Sequence, residues 1–216
     1  MIKREIETFE EISNMIDKRP SVSLRDFQAK VTTLVIVDMI NGFVREGALH
    51  SSRVEGIIPE ITKLSRVCDE LHIEKIAFAD CHSDVSTEFG AYPVHCLEGS
   101  RESEIVDEIK AIGGYKLITK NSTNGFLEDE FQKWLGDNQD KNIFIVTGDC
   151  TDICIQQFAI TLKTWFNMKN RKSRIIVPIN AVETYDVDIH NAQLMNIMAL
   201  YNMIINGIEV VRNIKN

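Results

Sequence analysis

The sequence lacks the features that mark several large classes of protein. It has no glycine-rich dinucleotide fingerprint and no phosphate-binding P-loop, the patterns with which many folds hold a nucleotide phosphate. It has no apolar run long enough to cross a bilayer, and its first residues do not resemble a signal peptide. Basic residues are outnumbered, with 24 Lys and Arg against 32 Asp and Glu and a net charge of −8. Because phosphate contacts need clustered cations, we expect neither a nucleic-acid partner nor a membrane partner.

The cysteine content argues against a disulfide-stabilised scaffold. The chain has five cysteines, an odd number, and no export signal. We therefore expect free thiols in a reducing compartment, which favours a cytoplasmic protein. The five are Cys68, Cys81, Cys96, Cys150 and Cys154.

Short buried strands alternate with amphipathic helices along the chain. At 216 residues it fits one full-sized domain, with no internal repeat and no linker that would divide it. Apolar runs predict strands at 33–38, 75–80, 115–119, 143–147, 173–178 and 208–211. Helical spacing separates them, at 54–71, 103–112, 126–135, 154–162 and 190–205. This order predicts an α/β fold, a three-layer α/β/α arrangement around a mainly parallel sheet of about six strands.

The first thirty residues differ from the rest. Apolar side chains recur at helical spacing over residues 6–16, and the pattern stops before Pro20. We therefore divide the chain into an N-terminal helical extension, 1–30, and a main domain, 31–216. Whether the extension covers a functional site or a subunit interface stays open. So does the oligomeric state, with a homo-oligomer among the alternatives.

Three side chains with chemical potential follow the ends of predicted strands. Asp38 ends the first strand, Lys120 follows the third, and Cys154 lies in the first turn of the helix after the fourth. Parallel α/β sheets bind ligands at this edge, and a helix N-terminus favours a thiolate. Each residue also has an ordinary alternative: a turn aspartate, a solvated lysine and a small buried cysteine. The spacing alone does not decide between them.

The loop after the second strand carries a set of potential metal ligands. Two carboxylates and two imidazoles occur close together in it, and they are those of Asp80, His82, Glu88 and His95. Mixed nitrogen and oxygen ligands suit Zn²⁺, Mn²⁺ or Fe²⁺ and do not choose among them. The alternative is a polar surface loop without a metal, in which nearby Asp84 illustrates an acid with no role.

Taken together, these residues resemble a known family. The segment from Thr147 to Cys154, Thr-Gly-Asp-Cys-Thr-Asp-Ile-Cys, is similar to the Gly-x-x-Thr-Asp-x-Cys signature of the isochorismatase-like cysteine hydrolases. Asp38 and Lys120 match the other two catalytic positions of that superfamily, which includes the nicotinamidases. The resemblance covers residues 31–212, and it implies that Cys154 is a catalytic nucleophile.

The metal loop indicates one branch of this superfamily. Nicotinamidases carry an Asp-x-His pair followed by a Pro-x-His, and Asp80, His82 and His95 match these positions. Glu88 stands where many members have a second histidine. Isochorismatases proper lack this ligand set, so the resemblance implies an amidase with a divalent metal, Zn²⁺ being expected and Mn²⁺ or Fe²⁺ the alternatives.

Two aromatic residues match positions that flank the pyridine ring in nicotinamidases. They are Phe43, which the sequence places as an exposed aromatic in a loop, and Tyr92, where tryptophan is commoner. Other positions depart from the family pattern and leave the three catalytic positions intact. These are Ile40, Gly42, Cys81 and Asn180, where Gln, Asp, Trp and Asp are frequent.

The resemblance implies hydrolysis of nicotinamide, a small amide, to nicotinate and ammonia through a thioester on Cys154, as in NAD salvage. Asp38 would accept the thiol proton and later protonate the leaving nitrogen, while Lys120 would keep Asp38 ionised. Backbone N–H groups of Cys150 and Cys154 would form the oxyanion hole, aimed by a cis peptide bond between Asp149 and Cys150. The metal would bind the ring nitrogen of the substrate and orient water.

Three alternatives remain open. A sibling hydrolase of another small amide, carbamate or enol ether would keep the three catalytic residues but not respond to nicotinamide. A catalytically silent binding or scaffold protein is expected to have lost part of the set, and all three residues are present. A flavodoxin-type nucleotide binder would need a phosphate loop, which the sequence does not show.

Overall fold

A parallel sheet forms the centre of the computed structural model, which describes residues 2–215. The strands are β1 (Val22–Ser23), β2 (Thr32–Val37), β3 (Glu74–Asp80), β4 (Tyr115–Lys120), β5 (Ile143–Asp149), β6 (Arg174–Pro178), β7 (Val182–Glu183), β8 (Glu209–Val211) and β9 (Ile214–Lys215). The main sheet has the order β4-β3-β2-β5-β6-β8, and neighbouring strands are parallel. Short β7 pairs with the end of β5.

Helices cover both faces of this sheet. They are α1 (Ile2–Asp17), α2 (Asn41–Val44), α3 (Ser52–Glu55), α4 (Ile58–Glu70), α5 (Asp107–Ile112), α6 (Asp129–Asp137), α7 (Gln156–Met168) and α8 (Ala192–Ile205). The core beneath α3, α4 and α5 takes Leu34 and Ile36 from β2, while the core beneath α6, α7 and α8 takes Val35 and Val37. This is the predicted three-layer α/β/α fold. In the described part of the chain, no helix is long and apolar enough to span a membrane.

The course of the chain through the sheet creates a crevice beside β2. From β2 the strands step outward through β3 to β4, and the chain then returns to place β5 on the other side of β2. Every residue of β2 is buried, as expected for a central strand with helices on both faces. A reversal of strand order of this kind leaves space at the carboxyl ends of the strands, where α/β proteins bind ligands.

The predicted strands are confirmed, whereas some predicted helix limits are wrong. The helix expected at 54–71 divides into α3 and α4, and Pro59 at the start of α4 suits a new helix N-terminus. The helix expected at 103–112 begins only at Asp107, because Ile105 forms a β-bridge with Ile40. The turn that carries Cys154 is π-helical over Thr151–Ile155 before α7 begins.

The N-terminal helix is confirmed and packs on the main sheet's helical layer. Phe9, Ile12, Met15 and Ile16 of α1 join the core beneath α8. Residues 22–23 then form β1, which pairs in parallel with β9 near the C-terminus. This second, two-stranded sheet was not predicted. The division of the chain at residue 31 stays a prediction.

Candidate active site

The carboxyl ends of four neighbouring strands bring the candidate catalytic side chains together. Asp80 and Lys120 end β3 and β4 and are paired in register. Asp38 directly follows β2 with a positive φ of 54°, a conformation that aspartate tolerates better than most residues. Cys154 lies in the π-helical turn after β5. All four are buried, with at most 6% of any of them exposed.

Lys120 contacts every other member of this cluster. Its Nζ lies 2.5 Å from Asp80 Oδ1 and 2.8 Å from Asp38 Oδ2. It also donates to the Ser122 carbonyl oxygen over 3.1 Å, and it lies 3.8 Å from Cys154 Sγ. The alternative of a solvated surface lysine is therefore wrong, and the structure brings Asp38, Lys120 and Cys154 into one buried group.

Burial and neighbouring charges shift the pKa values of these side chains in opposite directions. Burial raises the pKa of Asp38 to about 7, although the Lys120 ammonium opposes it. Burial alone would also raise the pKa of Asp80, but the Lys120 ammonium and the nearby imidazoles of His82 and His95 bring that pKa below its usual range. Burial disfavours charged Lys120, yet Asp38 and Asp80 raise its pKa well above the ordinary value. At neutral pH, Lys120 and Asp80 are thus charged, and Asp38 is poised to take or give a proton.

The Cys154 thiol is protonated in the resting site. Burial raises its pKa well above the usual range, and the opposing effect of the Lys120 ammonium is smaller. The sequence led us to expect a helix N-terminus that favours a thiolate. The structure differs because the thiol is almost completely buried, and desolvation outweighs nearby positive charge. Reaction at Cys154 therefore needs a base, and the Asp38 carboxylate, which contacts the same Lys120 ammonium as the thiol, is placed to serve.

A tight turn at the end of β5 prepares the backbone next to Cys154. Gly148 has a φ of 115°, and a Cβ there would lie 1.9 Å from the Val37 carbonyl oxygen, so β5 can approach β2 this closely only with glycine. The Asp149–Cys150 peptide bond is cis, as the family resemblance implied. Among the hydrogen bonds within residues 2–215, none uses the Cys150 N–H as donor. That N–H is thus free to hold a developing oxyanion.

Four candidate metal ligands converge beside this cluster. Asp80, His82, Glu88 and His95 each offer one ligand atom, and these atoms all lie within 4.8 Å of one another. His82 Nε2 lies 3.5 Å from Asp80 Oδ1 and 3.9 Å from Glu88 Oε1. His95 Nε2 lies 3.8 Å from Asp80 Oδ2. The set offers two imidazole nitrogens and two carboxylates, which suits a divalent transition metal.

The orientation of the two imidazoles fits a bound cation. His82 Nδ1 lies 2.9 Å from Asn121 Oδ1, and His95 Nδ1 lies 2.8 Å from the Pro93 carbonyl oxygen. Such outer contacts turn Nε2 toward a metal in histidine-ligated sites. His82 Nε2 is buried and has no hydrogen-bond partner among the described residues. Because an unpaired buried polar atom costs free energy, a divalent cation is the partner that this geometry fits.

A cleft opens beside Cys154. Phe43 and Tyr92 both line it. The prediction of an exposed Phe43 without a partner was wrong, since only 7% of it is exposed and its ring centroid lies 5.6 Å from that of His95. Sequence reasoning missed lining residues that come from separate loops and carry no common spacing: Leu49, Thr123, Ile153 and Tyr185.

The positions that depart from the family pattern lie outside the cleft. None of Ile40, Gly42, Cys81 and Asn180 is among the residues that line it. Asn180 donates to Glu60 Oε2 over 3.0 Å. A Cβ at residue 42 would lie 2.5 Å from Cys96 Sγ, so glycine is required there by packing. None of these four departures contributes a side chain to the lining of the cleft.

Comparisons with known proteins relate the chain to one family and one fold. The protein-family model of the isochorismatase domain matches residues 32–209 of the chain. Nicotinamidase 1 of Arabidopsis thaliana is 28% identical over 242 residues, which cover 99% of this chain and 94% of that protein. A pyrazinamidase of Pyrococcus horikoshii in complex with zinc has a TM-score of 0.68 at 22% identity, covering 84% of this chain and 98% of its own. An N-carbamoylsarcosine amidase from Thermoplasma acidophilum has a TM-score of 0.69 at 24% identity, and the match covers 84% of this chain and 95% of that protein.

These similarities establish both the fold and the family. The two solved structures share the three-layer arrangement, and at their level of identity they speak for the fold alone. The domain model spans most of the chain and includes Asp38, Lys120 and Cys154 within its limits. The chain therefore belongs to the isochorismatase family.

Proposed function

We propose that the protein is a metal-assisted cysteine amidohydrolase of the nicotinamidase type, which converts nicotinamide and water to nicotinate and ammonia. The observation that carries this proposal is the buried cluster in which Lys120 joins Asp38 and Asp80 beside Cys154, on a cleft that the metal-ligand set borders. Similarity to a plant nicotinamidase over nearly the whole chain supports the choice of substrate.

The cluster supplies a nucleophile and its base. Cys154 Sγ forms a bond to the amide carbonyl carbon as Asp38 takes the thiol proton. Asp38 then passes this proton to the amide nitrogen, the C–N bond breaks, and ammonia leaves a thioester behind. Asp38 next takes a proton from water, whose oxygen attacks the thioester, and it returns that proton to the Cys154 sulfur as nicotinate leaves. Lys120 stays charged throughout. Its ammonium favours the carboxylate form of Asp38 and the thiolate form of Cys154 at the steps in which each is ionised.

Backbone donors hold the charge that develops on the substrate oxygen. Cys150 and Cys154 both line the cleft at the end of β5, and we assign the oxyanion hole to their N–H groups. They are fixed by the strand and turn, so little reorganisation is needed when the tetrahedral intermediate forms. Loss of one such donor typically lowers the rate by ~10² to 10³.

The metal-ligand set adds a second point of contact for the substrate. A bound divalent metal supplies Lewis-acid binding of the ring nitrogen. Asp80, His82, Glu88 and His95 would hold it, and Asp80 links it to the catalytic cluster through its contact with Lys120. Two nitrogen and two oxygen donors suit zinc, and the related pyrazinamidase of Pyrococcus horikoshii was crystallised in complex with zinc. Manganese and iron suit the same donors.

The charge of the cleft favours a neutral aromatic amide. Among the described residues, no lysine or arginine lines the cleft, while Asp80 and Glu88 do. A substrate that carries a carboxylate, such as isochorismate or N-carbamoylsarcosine, would find no lysine or arginine there with which to pair, and in our proposal the divalent metal binds the ring nitrogen of the substrate instead. The rings of Phe43, Tyr92 and Tyr185 suit a flat, neutral heterocycle. This observation favours nicotinamide over the substrates of sibling hydrolases.

Ammonia release from a panel of amides tests the proposal. The purified protein is incubated with nicotinamide, pyrazinamide and N-carbamoylsarcosine at matched concentrations. We expect the first two, which are neutral and aromatic, to be hydrolysed and the third to be inert. Preference for N-carbamoylsarcosine would assign the protein to a sibling activity. Release from none of them would contradict the nicotinamidase assignment and would leave the choice between a sibling hydrolase of another substrate and the scaffold alternative.

With Asp38 as the proton acceptor, we expect kcat/KM to decrease on the acid side of the pH profile. Because burial raises the pKa of Asp38 to about 7, the carboxyl is protonated below that pH and cannot take the Cys154 proton. We expect kcat/KM to fall about tenfold per pH unit below the inflection. Initial rates from pH 5 to 9 check this, with recovery after return to pH 8 as the control for unfolding. A profile that stays flat down to pH 5 would exclude Asp38 as the base.

Removal of the metal is expected to lower activity by about 100-fold or more, since metal contacts supply several kcal/mol in such sites. Rates are measured after dialysis against a chelator and again after addition of Zn²⁺. His82→Ala should show low activity that the chelator no longer changes. His72→Asn is the matched control, because His72 is exposed with a positive φ that asparagine tolerates. Unchanged wild-type activity with metal removal verified by elemental analysis would contradict the assignment.

We place this reaction in the cytoplasm, within NAD salvage. The free thiols at Cys68, Cys81, Cys96, Cys150 and Cys154 support a reducing compartment. We also propose residues 31–216 as the catalytic unit and residues 1–30 as an extension that packs on it. In the described chain α1 contributes to the core beneath α8 and lines no part of the cleft.

A further inference from the structure

The loop between β7 and α8, residues 184–191, contributes a wall to the active-site cleft. Tyr185 of this loop lines the cleft beside Cys154 and also lines the polar groove next to it. The tip of the loop is exposed, with 58% of Val187 and 96% of Ile189 accessible. The Tyr185 ring therefore lies between two openings, and the tip offers it no apolar cover.

His190 supplies the contacts that the exposed tip does not. Its ring lies 3.8 Å from the Tyr185 ring, centroid to centroid, with only 11° between the planes. His190 Nε2 lies 2.9 Å from Asp152 Oδ2, and Nδ1 lies 3.0 Å from the Tyr185 carbonyl oxygen. Both ring nitrogens face acceptor oxygens, which fixes the plane of the imidazole. Because the Tyr185 ring stacks on this plane, it is fixed as well.

Asp152 connects this arrangement to the catalytic turn. It lies in the π-helical turn Thr151–Ile155, two residues before Cys154. The Asp152 and His190 side chains are largely buried, 15% and 19% exposed. A partly buried hydrogen bond of this kind restrains both side chains more than an exposed ion pair does. The loop is thus attached to the element that carries the nucleophile.

We propose that His190 is a positioning residue for the substrate: held by Asp152 and stacked on Tyr185, it keeps the Tyr185 ring in the cleft wall, where that ring packs on a planar aromatic amide. The inference rests on the proposed amidase function and assigns its aromatic specificity in part to the 184–191 loop. His190 does not line the cleft itself, so its effect passes through Tyr185. Binding should therefore depend on His190 much more than bond cleavage does.

The first test is the effect of His190→Ala on steady-state kinetics with nicotinamide. An aromatic contact of this type is worth about a factor of ten in affinity. We expect KM to rise about tenfold and kcat to change less than threefold. His190→Gln can still donate to Asp152 but cannot stack on Tyr185. Its KM should therefore lie between those of His190→Ala and the wild type. Loss of kcat at unchanged KM, or no change in either constant, would overturn the proposal.

A double-mutant cycle separates this role from a general loss of stability. Tyr185→Leu should raise KM by itself, and adding His190→Ala should raise it little further, because His190 acts through the ring that is already gone. Additive effects would show that His190 acts by another route. Ile189→Ala is the matched control in the same loop, since its side chain is 96% exposed; we expect wild-type constants. Thermal unfolding of each variant identifies any that fail to fold.

Alkylation of Cys154 tests the loop without relying on nicotinamide turnover. We compare iodoacetamide with its N-phenyl derivative and locate the product by peptide mass spectrometry. In the wild type the aromatic reagent should gain from packing on Tyr185, and His190→Ala should lower only the ratio of the two rates. An unchanged ratio would refute the positioning role even in an active enzyme. If nicotinamide is not hydrolysed but the ratio falls as expected, the proposed substrate fails and the loop inference stands.

Discussion

Replacement of Cys154 by alanine is expected to lower kcat for ammonia release from nicotinamide by about 10⁴-fold or more. The Sγ atom lies 3.8 Å from Lys120 Nζ and is the atom that would carry the acyl group. Without it, Asp38 and the oxyanion donors remain but no thioester forms. Affinity for nicotinamide, measured by calorimetry, should change little, because the cleft keeps its aromatic and metal-binding residues.

Cys68→Ala provides the matched control for this experiment. Cys68 is another fully buried thiol, and it lies in α4 away from the cleft. Both substitutions remove one buried sulfur atom, so they should destabilise the fold to a similar, small extent. Intact-mass analysis of acid-quenched wild type should show an acyl adduct that Cys154→Ala lacks. Residual activity of the Cys154 variant above one hundredth of the wild type would argue against a thioester route.

Much of the site could be predicted because parallel strands bring their ends together. Asp38, Lys120 and Cys154 are far apart in sequence, yet each follows an apolar run that predicts a buried strand. Once the order β4-β3-β2-β5 is set, these ends meet in one crevice. The metal-ligand set was visible for a different reason, since Asp80, His82, Glu88 and His95 all lie in one strand end and the loop that follows it.

Features that depend on the path of separate loops could not be predicted. The contact of Tyr185 with the cleft requires the course of the 184–191 loop, and the contact of His190 with Asp152 joins two distant segments. The burial of Phe43 depends on the short helix α2, which has too few residues to show a helical period. The raised pKa of Cys154 follows from desolvation by the whole fold, whereas the sequence showed only its position near a helix start.

Short elements were missed for the same physical reason. The paired strands β1 and β9 have two residues each, too few for an alternating pattern to be recognised. The π-helical turn around Cys154 has the same local composition as the start of an α-helix. In the π-helical turn, Ile155 N donates to the Cys150 carbonyl oxygen. This hydrogen bond can be recognised only from the backbone coordinates.

Replacement of Lys120 by methionine is expected to lower kcat/KM by about 10³-fold or more at neutral pH, as for loss of a principal electrostatic contact in an active site. Lys120 is the cation that opposes burial at Asp38, and without it the pKa of that carboxyl rises further. The acid limb of kcat/KM should therefore move to higher pH. Initial rates from pH 6 to 10 measure both effects. An acid limb that stays in place would show that Lys120 does not control the protonation of Asp38.

The same substitution is expected to destabilise the fold, because it leaves two buried carboxylates without their cation. Removal of one partner of a buried ion pair typically costs about 3–5 kcal/mol. Lys75→Met is the matched control: Lys75 is a second buried lysine, 2.6 Å from Asp69 Oδ1 and outside the cleft. It should also lower the midpoint of urea unfolding, by less, since Asp69 is partly exposed. Its pH profile should match that of the wild type.

Stability and catalysis at Lys120 can be separated by removing the charge that Lys120 neutralises. The double variant Lys120→Met with Asp38→Asn lacks both members of the pair joined at 2.8 Å. Because no unpaired Asp38 carboxylate remains, the double variant should unfold at a higher urea concentration than Lys120→Met alone. It should remain inactive, since the base has gone as well. Recovery of activity together with stability would mean that Lys120 serves the fold alone and that another group moves the proton.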